Sequence, residues 1–193
     1  VNEDSIEFTV NKNREVIHLE IPGKHNIQNG ILCYIVAKEL GIKDEELSHI
    51  KIMKSSMRMD LIRMERLTVI NDCYNANPDS TKAALDYLEN FSGRKVAVIG
   101  TMKELGAESS DAHRSVAHHA KSRNIDLFVA VGEHMEEMVE VYGDEAVGFR
   151  TFEEAEEKIG EQIKTDDTVL IKASRGMYFE RFIPVLEKLG GRN

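Results

Sequence analysis

The chain has 193 residues, 41% of them apolar and 31% charged, with a formal net charge of −9. That length suits one large domain, or one full domain with part of another, and the apolar share is enough for a proper core. The acidic residues are spread over helical segments rather than gathered in a tail. This argues against non-specific nucleic-acid or anionic-membrane binding, both of which need a basic face, and leaves anionic small ligands open.

The opening segment alternates. Ile6, Phe8 and Val10, then Val16 and Ile17 through Ile21, predict two strands joined by a polar turn at Asn11–Arg14. Residues 26–40, NIQNGILCYIVAKEL, predict a helix with an apolar stripe, with Asn26 as its N-cap and Gly41 at its C-terminal end. A second, acidic helix starts near Asp44. Cys33 and Cys73 lie far apart in apolar contexts without Cys/His metal spacing, so both are expected to be buried, reduced thiols in a cytoplasmic protein. No apolar run approaches transmembrane length and no signal peptide is visible; VNEDSIEFTV reads as a chain entered in mid-sheet.

From residue 67 the grammar changes. The apolar runs LTVIND, KVAVIG, DLFVAVG and DTVLIKA alternate with helical stretches near 78–91, 109–123, 133–141, 152–164 and 177–189, and a further strand is expected at Ala146–Arg150. Strands apolar almost throughout belong in a sheet covered on both faces. The alternation predicts an α/β fold, a Rossmann-like, doubly wound, mostly parallel sheet over 67–193. Residues 1–66 read as an appendage or as the tail of a larger domain, with an exposed apolar edge where its partners would pack.

In such sheets ligands bind beyond the carboxyl ends of the strands. Three polar loops fall there: DCYNANPDS (72–80), GTMKELG (100–106) and KASRGM (172–177). In the first, Pro78 opens a helix and Asp79 suits its first turn, but neither accounts for Asp72, whose carboxylate can accept ribose hydroxyls. In the last, Lys172, Ser174 and Arg175 at a strand-to-helix switch suit a carboxylate or phosphate. The middle loop fits neither glycine-rich phosphate fingerprint. His113, His118 and His119 lack i, i+4 spacing and are expected to be exposed helix histidines.

Taken in order, these pieces resemble the Mur ligases of peptidoglycan synthesis. The likeness rests on G-x-H-N-x-x-N leading into a helix that ends in L-G-I (Gly23 to Ile42), on Arg58 before a strand ending in Asp72, and on DCYNANPDSTKAAL, TMKELGAESSDAH and VLIKASRGMYFE. It implies residues 1–66 as the last part of a central ATP-binding domain and 67–193 as the C-terminal domain. The YNANP version is that of members that use ATP to activate the terminal carboxylate of a UDP-N-acetylmuramoyl-tripeptide and join it to D-alanyl-D-alanine. By that resemblance Asn29 contacts adenine, Asp72 the ribose and Arg58 the ATP phosphates. Asn75, Asn77, Lys172, Ser174 and Arg175 face the acceptor peptide and the dipeptide, with Arg58 and Lys172 as catalytic candidates. The P-loop and most Mg²⁺ ligands are expected outside this chain, in further domains of the same polypeptide, so the chain alone is expected to be inactive. Three positions depart from the family pattern: Met57 and Ala173 replace glycines, and Thr101 an aspartate. A sister amide ligase, such as a diamino-acid-adding member or folylpolyglutamate synthase, and a stand-alone binding module remain open.

Overall fold

A computed structural model describes residues 6–9, 16–19, 25–47 and 56–191. The chain divides into two compact units, 1–55 and 56–193. In the first, β1 (Ile6–Thr9) and β2 (Val16–Leu19) pair antiparallel, followed by α1 (His25–Glu39) and the short α2 (Asp44–Leu47). The expected turn at 11–14 and Gly23 lie outside the described residues. Helix α1 starts at His25, so Asn26 sits inside its first turn rather than capping it. Gly41, at φ +80°, terminates it as expected. Leu32, Ile35, Val36 and Leu40 of this unit are exposed, and Cys33 among them is exposed too, contrary to the expected burial.

The second unit is one six-stranded sheet. In chain order its elements are β3 (Asp60–Arg63), β4 (Leu67–Asn71), α3 (Pro78–Glu89), β5 (Lys95–Gly100) and α4 (Ser109–Ser122). Then come β6 (Leu127–Val131), α5 (Met135–Tyr142), β7 (Ala146–Phe149), α6 (Phe152–Gln162), β8 (Asp167–Lys172) and α7 (Phe182–Gly190). The strand order is β3-β4-β8-β5-β6-β7, parallel except for β3, which runs antiparallel on the edge. Strand β3 moves the boundary between the units: residues 56–66, expected with the first unit, hydrogen-bond into this sheet because Asp60–Arg63 pairs with Thr68–Asn71.

Alternation along each strand sends residues to two cores. Ile70, Ala97, Ile99, Phe128 and Leu170 pack with Leu85, Leu88, Val116 and Met138 of α3, α4 and α5. Val69, Val96, Val98, Val129 and Ile171 pack with Phe152, Ile159, Phe182 and Leu186 of α6 and α7. Covered on both faces, the strands have no polar face to show, hence their apolar sequences. Among the described residues no helix is long and apolar enough to cross a membrane.

Candidate functional site

Strand β8 lies between β4 and β5. The chain leaves β4 and β5 for helices on one face and leaves β8 for α7 on the other, so the loops diverge at the end of β8 and open a crevice. The three polar loops meet there.

Their junction is a buried polar network. Lys172, the last residue of β8, is 2% exposed, and its Nζ donates to Asp72 Oδ2 at 2.5 Å and to the Asn75 carbonyl at 2.9 Å. A buried ammonium demands such partners. The other Asp72 oxygen accepts the Met59 N–H at 3.1 Å. Ser174, also buried, joins all three loops: its Oγ accepts the Lys103 N–H at 2.8 Å and donates to the Ala76 carbonyl at 3.4 Å, while its N–H donates to the Thr101 carbonyl at 3.2 Å. Beside them, burial pushes the Cys73 thiol far up, so it is inert at neutral pH.

The rim is cationic. A tight turn with Met57 and Met59 at φ +61° and +51° brings Arg58 over the exposed Tyr74 ring, 4.1 Å from its centroid. The Met57 carbonyl accepts the Tyr74 N–H at 3.0 Å, fixing this turn to the first loop. A left-handed backbone at Met57 explains why glycine suits that position. No carboxylate among the described residues pairs with Arg58. Arg175 is half-exposed, bonded to Glu180 Oε1 at 2.5 Å, and lies over Tyr178. Two guanidinium groups at a crevice suit carboxylate or phosphate oxygens.

Arg58, Asp72, Asn75, Asn77, Lys172, Ser174 and Arg175 therefore share one edge of the second unit, though not all as expected. Asn77 is the N-cap of α3, its Oδ1 accepting the Ser80 N–H at 2.8 Å in a reciprocal capping box. Asn75 is exposed, with its side-chain amide directed to no partner among the described residues. Lys172 and Asp72 satisfy each other beneath the surface. KASRGM does not run straight into an α-helix: two 3-10 turns, Arg175–Met177 and Phe179–Arg181, intervene around a left-handed Tyr178, and α7 begins only at Phe182. Asn29 belongs to the first unit, exposed on α1, donating to Asn26 Oδ1 at 3.2 Å.

Thr101 is buried and donates to the Glu133 carbonyl at 3.2 Å, tying the middle loop to the end of β6. Ala173 is buried against Gly100, where a Cβ would come within 2.7 Å of its own. Tyr74, the platform under Arg58, and His113 escaped sequence reasoning. An aromatic inside an otherwise polar loop was the signal for Tyr74. His113 is fully buried rather than exposed, whereas His118 is exposed as expected and His119 pairs with Asp86.

Among the described residues no cluster of three or more His, Cys, Asp or Glu is placed to hold a metal. The nucleotide fit is mixed. Among the described residues no carboxylate holds Arg58 away from phosphates, while both oxygens of Asp72 are already engaged.

Residues 57–175 match the family described as Mur ligase, glutamate ligase domain. The UDP-N-acetylmuramoyl-tripeptide–D-alanyl-D-alanine ligase of Treponema pallidum is 32% identical over 179 residues, which cover 89% of this chain and 39% of that protein. Its counterpart in Bacillus subtilis is 30% identical over 200 residues, covering 94% and 42%. A crystal structure of MurF from Acinetobacter baumannii superposes with a TM-score of 0.84 at 26% identity, over 96% of this chain and 43% of that one. The chain thus spans about two fifths of the length of these curated relatives.

Proposed function

The chain belongs to the Mur ligase family, and from that premise we propose that it is the C-terminal part of an ATP-dependent amide ligase joining D-alanyl-D-alanine to a UDP-N-acetylmuramoyl-tripeptide. In this reading residues 56–193 are the C-terminal domain and 1–55 the tail of the central ATP-binding domain. The names of its relatives support the substrate choice. The observation that carries the chemistry is Arg58, a guanidinium stacked on Tyr74 and without a carboxylate partner among the described residues, at the mouth of the crevice where three strand-end loops converge.

ATP supplies a phosphoryl group that activates the tripeptide carboxylate as an acyl phosphate, with ADP leaving. The dipeptide amine then attacks the acyl carbon, giving up a proton as the amide bond forms and the acyl–oxygen bond to phosphate breaks. This chain contributes positioning and charge. Arg58 receives phosphate oxygens, and Arg175, steadied by Glu180, faces a substrate carboxylate. The exposed side-chain amide of Asn75 hydrogen-bonds peptide backbone. Asn77 sets the direction of α3 behind that loop, and Ser174 keeps the loops in register. Lys172 acts through Asp72 and the Asn75 carbonyl. A ribose hydroxyl reaches Asp72 only through lone pairs that Lys172 and Met59 leave free, so holding the loop is the main work of Asp72. Asn29 contacts adenine from the first unit. Acyl phosphates hydrolyse readily, so closing these loops over the reacting groups protects the intermediate from water. Mg²⁺ ligands and the P-loop come from the remainder of a longer polypeptide.

The test is the intact mass of the native protein, captured from its source cells with antibody raised to this chain. A polypeptide more than twice the length of this chain supports the reading. A native length of 193 residues would withdraw the ligase in favour of a binding module.

A further inference from the structure

His113 has no part in the chemistry above, yet it is fully buried and both ring nitrogens are engaged. Its Nε2 accepts the backbone N–H of Met102 at 2.8 Å, and its Nδ1 lies 2.6 Å from the Ser109 carbonyl. A carbonyl only accepts, so Nδ1 carries the proton and Nε2 is a bare acceptor. The ring joins the start of α4 to the middle loop. One residue further on, the Lys103 N–H bonds to Ser174, so the ring and Ser174 hold successive peptides of one strand-end loop.

We infer that His113 is a positioning residue: its neutral, Nδ1-protonated ring fixes Met102 and so presents Lys103 to Ser174. The loop it fixes also forms one wall of an open cavity of about 440 Å³, lined in addition by Ser109, Glu133 and His134. A protonated ring cannot accept from Met102, so the loop is released when His113 takes a second proton. The surroundings resist that proton. Burial holds the His113 pKa below its ordinary value, and the neighbouring His134 ring, 4.6 Å away, adds to this, while the bond to Ser109 and the carboxylates Glu137 and Glu133 oppose it. From α3, Lys82 and Asp86 face the same helix but are bonded to Ser115 and His119. The loop is therefore locked at neutral pH and loosened in acid.

The inference concerns the loop of the proposed ligase site, but its test does not depend on that reading. In the 193-residue chain, nitrogen-15 NMR of the imidazole reads the tautomer, and amide exchange reads protection of Met102 and Lys103, corrected for the intrinsic pH dependence of exchange. We expect a protonated Nδ1 at pH 7.5 and loss of both protections as the ring titrates. Glutamine reaches far enough to replace Nε2 as acceptor, whereas asparagine reaches only the Nδ1 position. H113Q is expected to keep Met102 protection within about twofold, and H113N to lower it about five- to tenfold, the weight of one net hydrogen bond. Exchange in β4 and β8 serves as the folding control. A protonated Nε2, or unchanged Met102 protection in H113N with those strands intact, would overturn the inference. In the complete polypeptide, H113N should then raise KM for the amine more than it lowers kcat. Absence of any amine-dependent turnover in the unaltered polypeptide would count against the ligase reading alone.

Discussion

Replacing Lys172 by methionine removes the ammonium while keeping an unbranched side chain of similar length, so little cavity is left behind. What remains is the Asp72 carboxylate, its side chain 12% exposed, facing a site that held a cation at 2.5 Å, together with an Asn75 carbonyl deprived of its donor. Breaking a buried pair from one side costs ~3–5 kcal/mol. The slight water access of Asp72 puts this case at the low end, about 3 kcal/mol. With a urea m-value of about 2 kcal/mol/M the midpoint should fall by about 1.5 M. The assay is a urea titration followed by the amide signals of β4 and β8, which report the second unit alone. Combining Lys172→Met with Asp72→Asn removes the stranded charge and should restore at least half of the loss. A single variant within about 1 kcal/mol of the parent, or a double variant no better than the single one, would refute the view of Lys172 as the buried anchor of the first loop.

Ser174→Ala leaves the Lys103 N–H without its acceptor and should cost ~1–3 kcal/mol in urea unfolding, with amide exchange rising at Lys103 before the strands are affected. Met57→Gly places glycine at φ +61° and should stabilise the second unit by ~1 kcal/mol, read as a higher urea midpoint. At Gly100 an added Cβ would meet Phe179 Cζ at 2.5 Å and Ala173 Cβ at 2.7 Å, so Gly100→Ala should destabilise by about 1–3 kcal/mol, measured in the same titration. Burial works against ionised Asp86, but hydrogen bonds from Arg123 and His119 hold its carboxyl below the ordinary 3.8. Its stabilisation is therefore complete above that value and lost as pH falls through the lower folded value, and Asp86→Asn should flatten the acid limb of a stability–pH curve below about pH 4.

The sheet was legible because its strands are buried on both sides, which leaves continuous apolar runs. Strand β3 was not: DLIR has a charge at each end and sits half-exposed on the edge, so its only evidence is the partner strand. The stretch MYFERFIPVLEKL reads as one amphipathic helix from residue 177, yet Tyr178 at φ +52° interrupts it and 3-10 turns fill the start. That three polar loops lie at the carboxyl ends of the strands was readable from the alternation of apolar runs and helices, whereas the strand order that opens a crevice at the end of β8 was not. The use of their residues was not readable. Lys172 and Asp72 are 100 positions apart, and nothing in either neighbourhood announces that each will be the partner of the other. The histidines of α4 look alike in DAHRSVAHHAK, and only the return of Met102 against the helix distinguishes His113. Cys33 looked like a core residue because a helix stripe does not say whether its covering is present.

The most direct measurement is phosphate release by the complete native polypeptide with UDP-N-acetylmuramoyl-tripeptide, ATP and Mg²⁺, offered a panel of amines: D-alanyl-D-alanine, diamino acids and glutamate. Stimulation by D-alanyl-D-alanine alone is the predicted result. Stimulation by a diamino acid or by glutamate instead, or no stimulation by D-alanyl-D-alanine, would contradict that substrate assignment.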